Sequence, residues 1–305
     1  MKKNSLTLVS DIGGTNARIA LLRNDHNIMH EKIYSHADFK DLEEVFKTYM
    51  DEVGVPELTK AILGVAAPII GDKVKFVNAN ISFSQKNLKQ KIFKEKLLVL
   101  NDLELQSLAL NNLSKENVNF IGGKEIQDSA KILIMPGTGL GLAGLVKSTP
   151  IATEAGHINI PSYNDELSHL IRSFEKNRGR IPTFEDLLSG RGILFLNNYI
   201  NGKKIDLITS EQILNSSSEE GRRVRAIFSN LLAIFCRNSA LMWGAKGGVY
   251  LSGSIVNTLM ERISLEEFRQ NFEDSPTMGD LLKACPLIHV KKVNLAFEGA
   301  KTLIM

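Results

Sequence analysis

The chain of 305 residues is 43% hydrophobic, enough for a large core and above the roughly 250–300 residues at which one core usually divides, so two lobes are expected. Its 37 basic and 34 acidic side chains leave a formal net charge of +3, which argues against a protein held to nucleic acid or to an anionic membrane by bulk charge and favours a small-molecule partner. Cys236 and Cys285 are the only cysteines; with no second Cys or His at ligand spacing they support neither a disulfide framework nor a zinc site, and a reducing cytoplasm is expected. The apolar run Leu6–Val9 is too short for a signal-peptide core, and no stretch approaches the ~18 apolar residues of a membrane helix.

In chain order, Leu6–Ser10 and Ala17–Leu22 read as strands separated by the turn Asp11-Ile12-Gly13-Gly14-Thr15-Asn16, and Ile28–Ser35 reads as a third strand. From Leu42 the apolar positions Val45, Phe46, Tyr49 and Val53 keep to one helical face, after which Lys60–Ala67 and Val74–Val77 return to strands. A helix capped by Ser84 follows, its lysines at 86, 89 and 91, with 94 and 96 beyond, reading as a solvated face. Leu97–Leu100 is a strand that meets a helix over Leu103–Leu113 at Asn101-Asp102. Ile132–Met135 runs into Pro136-Gly137-Thr138-Gly139-Leu140-Gly141, a glycine turn before a further strand, Leu142–Val146. The rest reads as mainly helical, with a long amphipathic helix over Glu219–Trp243 ended by Gly244. Val249–Leu251 is a strand that stops at Ser252-Gly253-Ser254, and Val293–Ile304 is a closing helix. No repeat at solenoid spacing is visible.

Three glycine turns thus follow strands, at 11–16, 136–141 and 252–254. One alone would mark a chain reversal; three together suggest backbone N–H groups arranged to approach phosphates. No G-x-x-x-x-G-K-[ST] occurs, and the G-x-G-x-x-G of Gly139–Gly144 leads to a strand instead of a helix, which sets aside P-loop and dinucleotide sites. Asp102 suits the proton acceptor that phosphoryl transfer to an alcohol needs, and equally suits a helix N-cap. Glu154 and His157, three residues apart beside a small-residue turn, suit the grasping of vicinal hydroxyls, although either alone reads as a solvated side chain. Glu185 fits the first turn of a helix over Thr183–Ser189.

Taken in order, these segments resemble the bacterial glucokinase family of actin-like ATPase-domain kinases over essentially the whole chain. The resemblance implies an α/β, two-lobed actin-like ATPase (ribonuclease H-like) fold, with a small α/β lobe over 1–103 and 292–305, a larger α+β lobe over 104–291, and a cleft between them. It implies a first phosphate loop of Asp11, Gly13, Gly14, Thr15 and Asn16, with Asp11 reaching Mg²⁺ through water, and a second of Gly137, Thr138 and Gly139. Gly253 and Ser254 fall near the adenosine. Asn78, Asn101, Asp102, Glu154, His157 and Glu185 fall at sugar-binding positions, with Asp102 as the base for the 6-hydroxyl. Ile81, Ser254 and Ala155 depart from the Trp, Gly and Gly common in the family.

The implied activity is ATP-dependent phosphorylation of glucose by a cytoplasmic homodimer, with ATP and Mg²⁺ as cofactors and neither nucleic acid nor membrane as partner. A kinase for another hexose or amino sugar stays open, although the Cys-rich motif usual in such relatives is missing after His157. A sugar-sensing regulator without turnover is the remaining reading. The intact Asp11, Asp102 and Glu154 oppose it, as does the lack of a DNA-binding helix pair before the first strand.

Overall fold

The structure is a computed structural model and describes residues 6–54, 58–76, 81–94, 96–124, 128–202, 208–291 and 293–304. The chain divides into two units, Met1–Asn112 with Asn294–Met305, and Leu113–Val293.

The first unit runs β1 (Leu6–Ile12), β2 (Asn16–Arg23), β3 (Ile28–Ser35), α1 (Leu42–Val53), β4 (Leu58–Val65), β5 (Lys73–Lys75), β6 (Ser82–Ser84), α2 (Gln85–Lys91), β7 (Leu97–Asn101) and α3 (Asp102–Ser107). Its main sheet has the order β3-β2-β1-β4-β7; the β1–β2 and β2–β3 pairs are antiparallel, and β1–β4 and β4–β7 are parallel. Central β1 buries Thr7, Leu8, Val9 and Ser10 in succession, as expected of a strand covered on both faces. Helix α1 starts where the Asp41 side chain accepts the Glu44 N–H and ends at Gly54, φ 64°, and its Phe46 and Tyr49 join Leu8, Ile12 and Leu63 in one core. The capping of α2 by Ser84 is as the sequence suggests.

The second unit contains β8 (Val118–Gly122), β9 (Lys131–Pro136), β10 (Leu140–Val146), β11 (Thr149–Thr153), α4 (Asp165–Arg178), α5 (Phe184–Leu187), α6 (Gly190–Asn201), α7 (Ser210–Asn215) and α8 (Glu219–Trp243). It continues through β12 (Gly248–Leu251), α9 (Ser254–Met260), α10 (Leu265–Glu273), α11 (Gly279–Ala284) and β13 (Leu287–Val290), after which α12 (Leu295–Lys301) returns to the first unit. The sheet order is β11-β10-β9-β12-β13-β8. Here β9, β10 and β11 form an antiparallel meander, β9, β12 and β13 are parallel, and β8 closes the edge antiparallel to β13.

The two sheets therefore repeat one topology, a three-stranded meander whose first strand carries two parallel strands on its other side. This repeat has no counterpart in the sequence. After β10 the chain is mainly helical, as expected, while β8, β11 and β13 are strands that the sequence reading did not place.

Helix α8 carries the second core, with Phe228, Leu231 and Phe235 packed among Ile132, Leu142 and Val249. Ser218 caps its start and Gly244, φ 56°, its end. By length and composition α8 is apolar enough to cross a membrane, which corrects the expectation of no such segment, but 61% of its most apolar window is buried inside the protein. In the first unit, α12 lies against α3 at Gly299, where a Cβ would sit 1.8 Å from the Leu105 carbonyl oxygen.

Candidate active site

The first hairpin of each repeated sheet turns through a glycine segment, residues 13–15 between β1 and β2 and residues 137–139 between β9 and β10. In the first turn three carbonyls, those of Ile12, Gly13 and Thr15, are engaged by the protein. Ile12 O accepts from the Ala66 N–H at 2.9 Å, Thr15 O from the His36 N–H at 2.8 Å, and His36 Nε2 lies 3.0 Å from Gly13 O. Among the described residues, the Gly14 and Thr15 N–H groups donate to no protein acceptor, and neither do those of Thr138 and Gly139 in the second turn. Two successive unclaimed amides at equivalent places in both sheets suit an anion. At Gly137 a Cβ would meet no protein atom within 4 Å, so the protein's own packing does not demand glycine there.

Asp11 stands near the end of β1, in register with Arg18 on β2. Burial pushes its carboxyl above the ordinary value of 3.8, opposed by the Arg18 charge. Among the described residues no donor hydrogen-bonds to this carboxylate, and no group of three or more acidic, His or Cys side chains forms a metal cage. A single desolvated carboxylate of this kind fits a cation that keeps most of its water shell and arrives with a nucleotide's phosphates, the habit of Mg²⁺.

At the β7–α3 junction, Asn101 is the N-cap. Its Oδ1 accepts the Leu103 and Glu104 N–H groups at 3.0 and 3.4 Å, and Glu104 Oε2 accepts the Asn101 N–H at 3.1 Å. Asn101 Nδ2 reaches Ala67 O at 3.4 Å. The capping reading of Asp102 is thus corrected: Asp102 is the first helical residue, with Oδ1 2.9 Å from the Leu103 N–H. Asn78 lies outside the described residues.

In the second unit Glu154 precedes the single turn Ala155–His157, with Glu154 Oε2 and His157 Nε2 3.7 Å apart and both side chains more than half exposed. Gly156 lets this turn approach β10, since a Cβ there would lie 2.2 Å from Leu140 O. Glu185, in the first turn of α5, accepts the Leu140 N–H at Oε2, 3.0 Å, and faces Arg191 Nη2 at 3.4 Å through Oε1. A Cβ at Gly139 would sit 2.5 Å from Glu185 Oε2, and the Gly190 N–H donates to Gly137 O at 2.8 Å. Glu154, His157, Glu185 and the second glycine turn are therefore parts of one constellation. A cavity of about 510 Å³ opens there between His157, Asn159, Thr183, Glu185 and Arg191, within the roughly 300–1,000 Å³ usual for small-molecule sites.

The 252–254 turn belongs beside the second glycine turn. The Ser252 N–H donates to Ile134 O at 3.1 Å, and Gly253, φ 104°, brings its backbone within reach of Met135 and Pro136. Ser254 is the first residue of α9.

Arg180 fixes α5 through two bonds to Asp186, 2.6 and 2.7 Å, while Asp186 also accepts the Thr183 N–H and hydroxyl. Burial pushes the Asp186 carboxyl up, but the Arg180 and Thr183 hydrogen bonds and the Arg180 charge together leave it below its ordinary 3.8. A depressed carboxyl stabilises the fold above its unfolded pKa and loses that contribution as pH falls through the folded one. Asp186→Asn should therefore lower the urea midpoint at pH 7, with the gap from wild type closing on acidification below pH ~4; a gap independent of pH would contradict this. Sequence reading missed His36, Arg180, Arg191 and the structural part of Asp186. His36 stands 23 residues from Gly13 in sequence, and no local pattern marks it. Arg191, directly after Ser189-Gly190, carries only its charge as a signal.

A family model for glucokinase matches residues 8–305. The chain belongs to the glucokinase family. A glucokinase from Hahella chejuensis is 30% identical over 315 residues, covering 98% of this chain and 97% of that one. One from Neisseria meningitidis is 32% identical over 305 residues, covering 96% and 93%. Among solved structures, a glucokinase from an Antarctic psychrotroph matches with a TM-score of 0.84 at 28% identity, covering 98% of both chains. The glucokinase of Balamuthia mandrillaris, solved in complex with glucose, shares the fold with a TM-score of 0.84 at 22% identity over 99% of this chain and 94% of that one. Family membership makes the chain a sugar kinase acting on a hexose, built on the two-lobed α/β fold of the glucokinases.

Proposed function

We propose that this member of the glucokinase family transfers the γ-phosphoryl group of ATP to the 6-hydroxyl of glucose. The observation that carries the reading is the pair of equivalent glycine turns, each presenting two unclaimed N–H groups. Phosphoryl transfer depends mainly on positioning and charge stabilisation, and such turns supply both.

In this reading Asn78, Asn101, Glu154, His157 and Glu185 hold the sugar hydroxyls. Asp102 accepts the 6-hydroxyl proton as that oxygen bonds to the γ-phosphorus and the bond to the β–γ bridging oxygen breaks, releasing ADP. Asn101 takes the capping duty, and Asp102 stands as the first residue of the helix. Gly13 to Asn16 and Gly137 to Gly139 cradle the phosphates, with Gly253 and Ser254 toward the adenosine. Asp11 would hold a hydrated Mg²⁺, which supplies charge neutralisation at the β- and γ-phosphates when bound. A cytoplasmic homodimer belongs to the same reading; the two buried free cysteines are in keeping with a reducing compartment.

The test is the position of the transferred phosphate. ³¹P NMR of the product made from ATP and glucose should show a 6-phosphomonoester, and a 1-phosphate or no sugar phosphate would contradict the assignment.

Asp11 gives a further expected outcome. Its raised carboxyl means that the ionised form costs folding stability, a cost absent below pH ~4 and growing as pH rises toward the folded pKa. Asp11→Asn should therefore raise the Tm of the nucleotide-free protein while lowering kcat. A lowered Tm would contradict the reading of Asp11 as a carboxylate kept for a cation.

A further inference from the structure

A second cavity, about 240 Å³, lies in the Leu113–Val293 unit between the first turns of α8, the α9–α10 connection and the start of α10. None of its lining residues belongs to the glycine turns or to the 154–191 segment. Arg222, Arg225 and Arg262 line it, with Ser229 and Ser264 as neutral polar neighbours and Glu267 as its single carboxylate.

The decisive residue is Arg225. Three arginines are buried among the described residues: Arg225, Arg237 and Arg269, exposed by 7%, 9% and 7%. Arg269 has Glu273 at 2.5 Å and Arg237 has Asp274 at 3.8 Å. Arg225 has no carboxylate at ion-pair distance among the described residues; its Nη1 donates to the carbonyls of Leu214 and Ser216 at 2.9 and 2.7 Å. Its Nη2 and Nε donate to no protein acceptor among those residues.

A buried cation without a counter-charge is costly, and here the surroundings add to the cost. Burial first, then the like charges of Arg262 and Arg222, work against the charged form of Arg225. Among the described residues the side-chain hydrogen bonds of those two arginines go to neutral acceptors, Arg262 to Asn215 Oδ1 at 3.3 Å and Arg222 to Ser217 O, and Arg222 also feels the charge of Glu220. Among the lining residues, three guanidiniums stand against one carboxylate at a cavity large enough for a small anion.

We propose that this cavity is a second anion site, separate from the nucleotide turns, which takes a small dianion of phosphate chemistry, either free phosphate or the phosphate group of a sugar phosphate. Guanidinium forks match phosphate oxygens in both charge and geometry.

Calorimetric titration of the full-length protein tests this, with a non-hydrolysable ATP analogue present at saturation so that the glycine turns are filled. Inorganic phosphate and glucose 6-phosphate are titrated separately. Binding of either supports the site, and the tighter of the two identifies the source of the anion. Arg222 and Arg262 are exposed, so Arg222→Ala/Arg262→Ala should keep kcat unchanged while weakening anion binding by about tenfold or more. Glu267→Gln, which removes the one carboxylate of the lining, should tighten it. The proposal is overturned if neither anion binds the wild type, if the double variant binds as well as wild type, or if Glu267→Gln fails to tighten binding.

Discussion

Asp102→Asn should lower kcat by about 10²- to 10⁴-fold, the usual contribution of a positioned general base, while leaving the affinity for an ATP analogue unchanged. The substitution keeps the shape of the side chain and an oxygen that can accept the Leu103 N–H, the contact made now by Oδ1. The start of α3 is secured independently by Asn101 and Glu104, so the loss of a first-turn charge should cost the fold no more than about 1 kcal/mol. A large kinetic effect with a small thermal one is the signature of a base. Single-turnover rates with denaturation midpoints on the same preparations check both halves, and a kcat within tenfold of wild type would remove Asp102 from the proton transfer.

Three glycines around Leu140 should respond to alanine in three different ways, and Gly156 should respond most severely. Its new Cβ would sit 2.2 Å from the Leu140 carbonyl oxygen, a backbone atom in β10 that cannot move alone. The expected cost is about 1–3 kcal/mol of stability, together with weakened glucose binding as Glu154 and His157 are displaced. At Gly139 the atom in the way is Glu185 Oε2, the end of a side chain that can swing aside. Gly139→Ala should keep most of its stability and lose activity, because the Glu185–Leu140 hydrogen bond is broken. At Gly137 no protein atom lies within 4 Å, so Gly137→Ala should leave stability unchanged and raise the KM for ATP alone. Denaturant melts and steady-state kinetics on the three variants distinguish these outcomes; equal loss of stability in all three would contradict the assignment of Gly137 to a phosphate.

Residues with local signals were legible in the sequence. The period of Val45, Phe46 and Tyr49 marks α1; Gly244 ends α8; the glycine turns after Leu6–Ser10 and Ile132–Met135 lie where the chain pattern places them. What escaped depends on contacts between distant segments. Leu287–Val290, Leu-Ile-His-Val, is a short segment interrupted by His289 that a helix would accommodate equally well, and it becomes β13 because β12 and β8 flank it. The edge strand β8 leaves Phe120 half-exposed and so lacks a clean alternation. The repeat of sheet topology lives in strand order, which no sequence period records.

The site divides in the same way. Asp11, Asn101, Asp102, Glu154, His157 and Glu185 were marked by residue type and position, but their second partners were not. Asn101 proved to be the cap because its backbone and Glu104 close a reciprocal pair. Glu185 reads locally as a first-turn charge, yet its carboxylate bonds to Leu140, 45 residues away. His36 on Gly13 and Arg180 on Asp186 are likewise fixed by tertiary approach.

The most direct measurement is ADP release by the wild-type protein with ATP and Mg²⁺ against glucose, mannose, fructose, glucosamine, N-acetylglucosamine and N-acetylmannosamine. The account predicts the highest kcat/KM with glucose and negligible release without sugar. Preference for another sugar in the panel, or no turnover with any of them by folded protein, would contradict it.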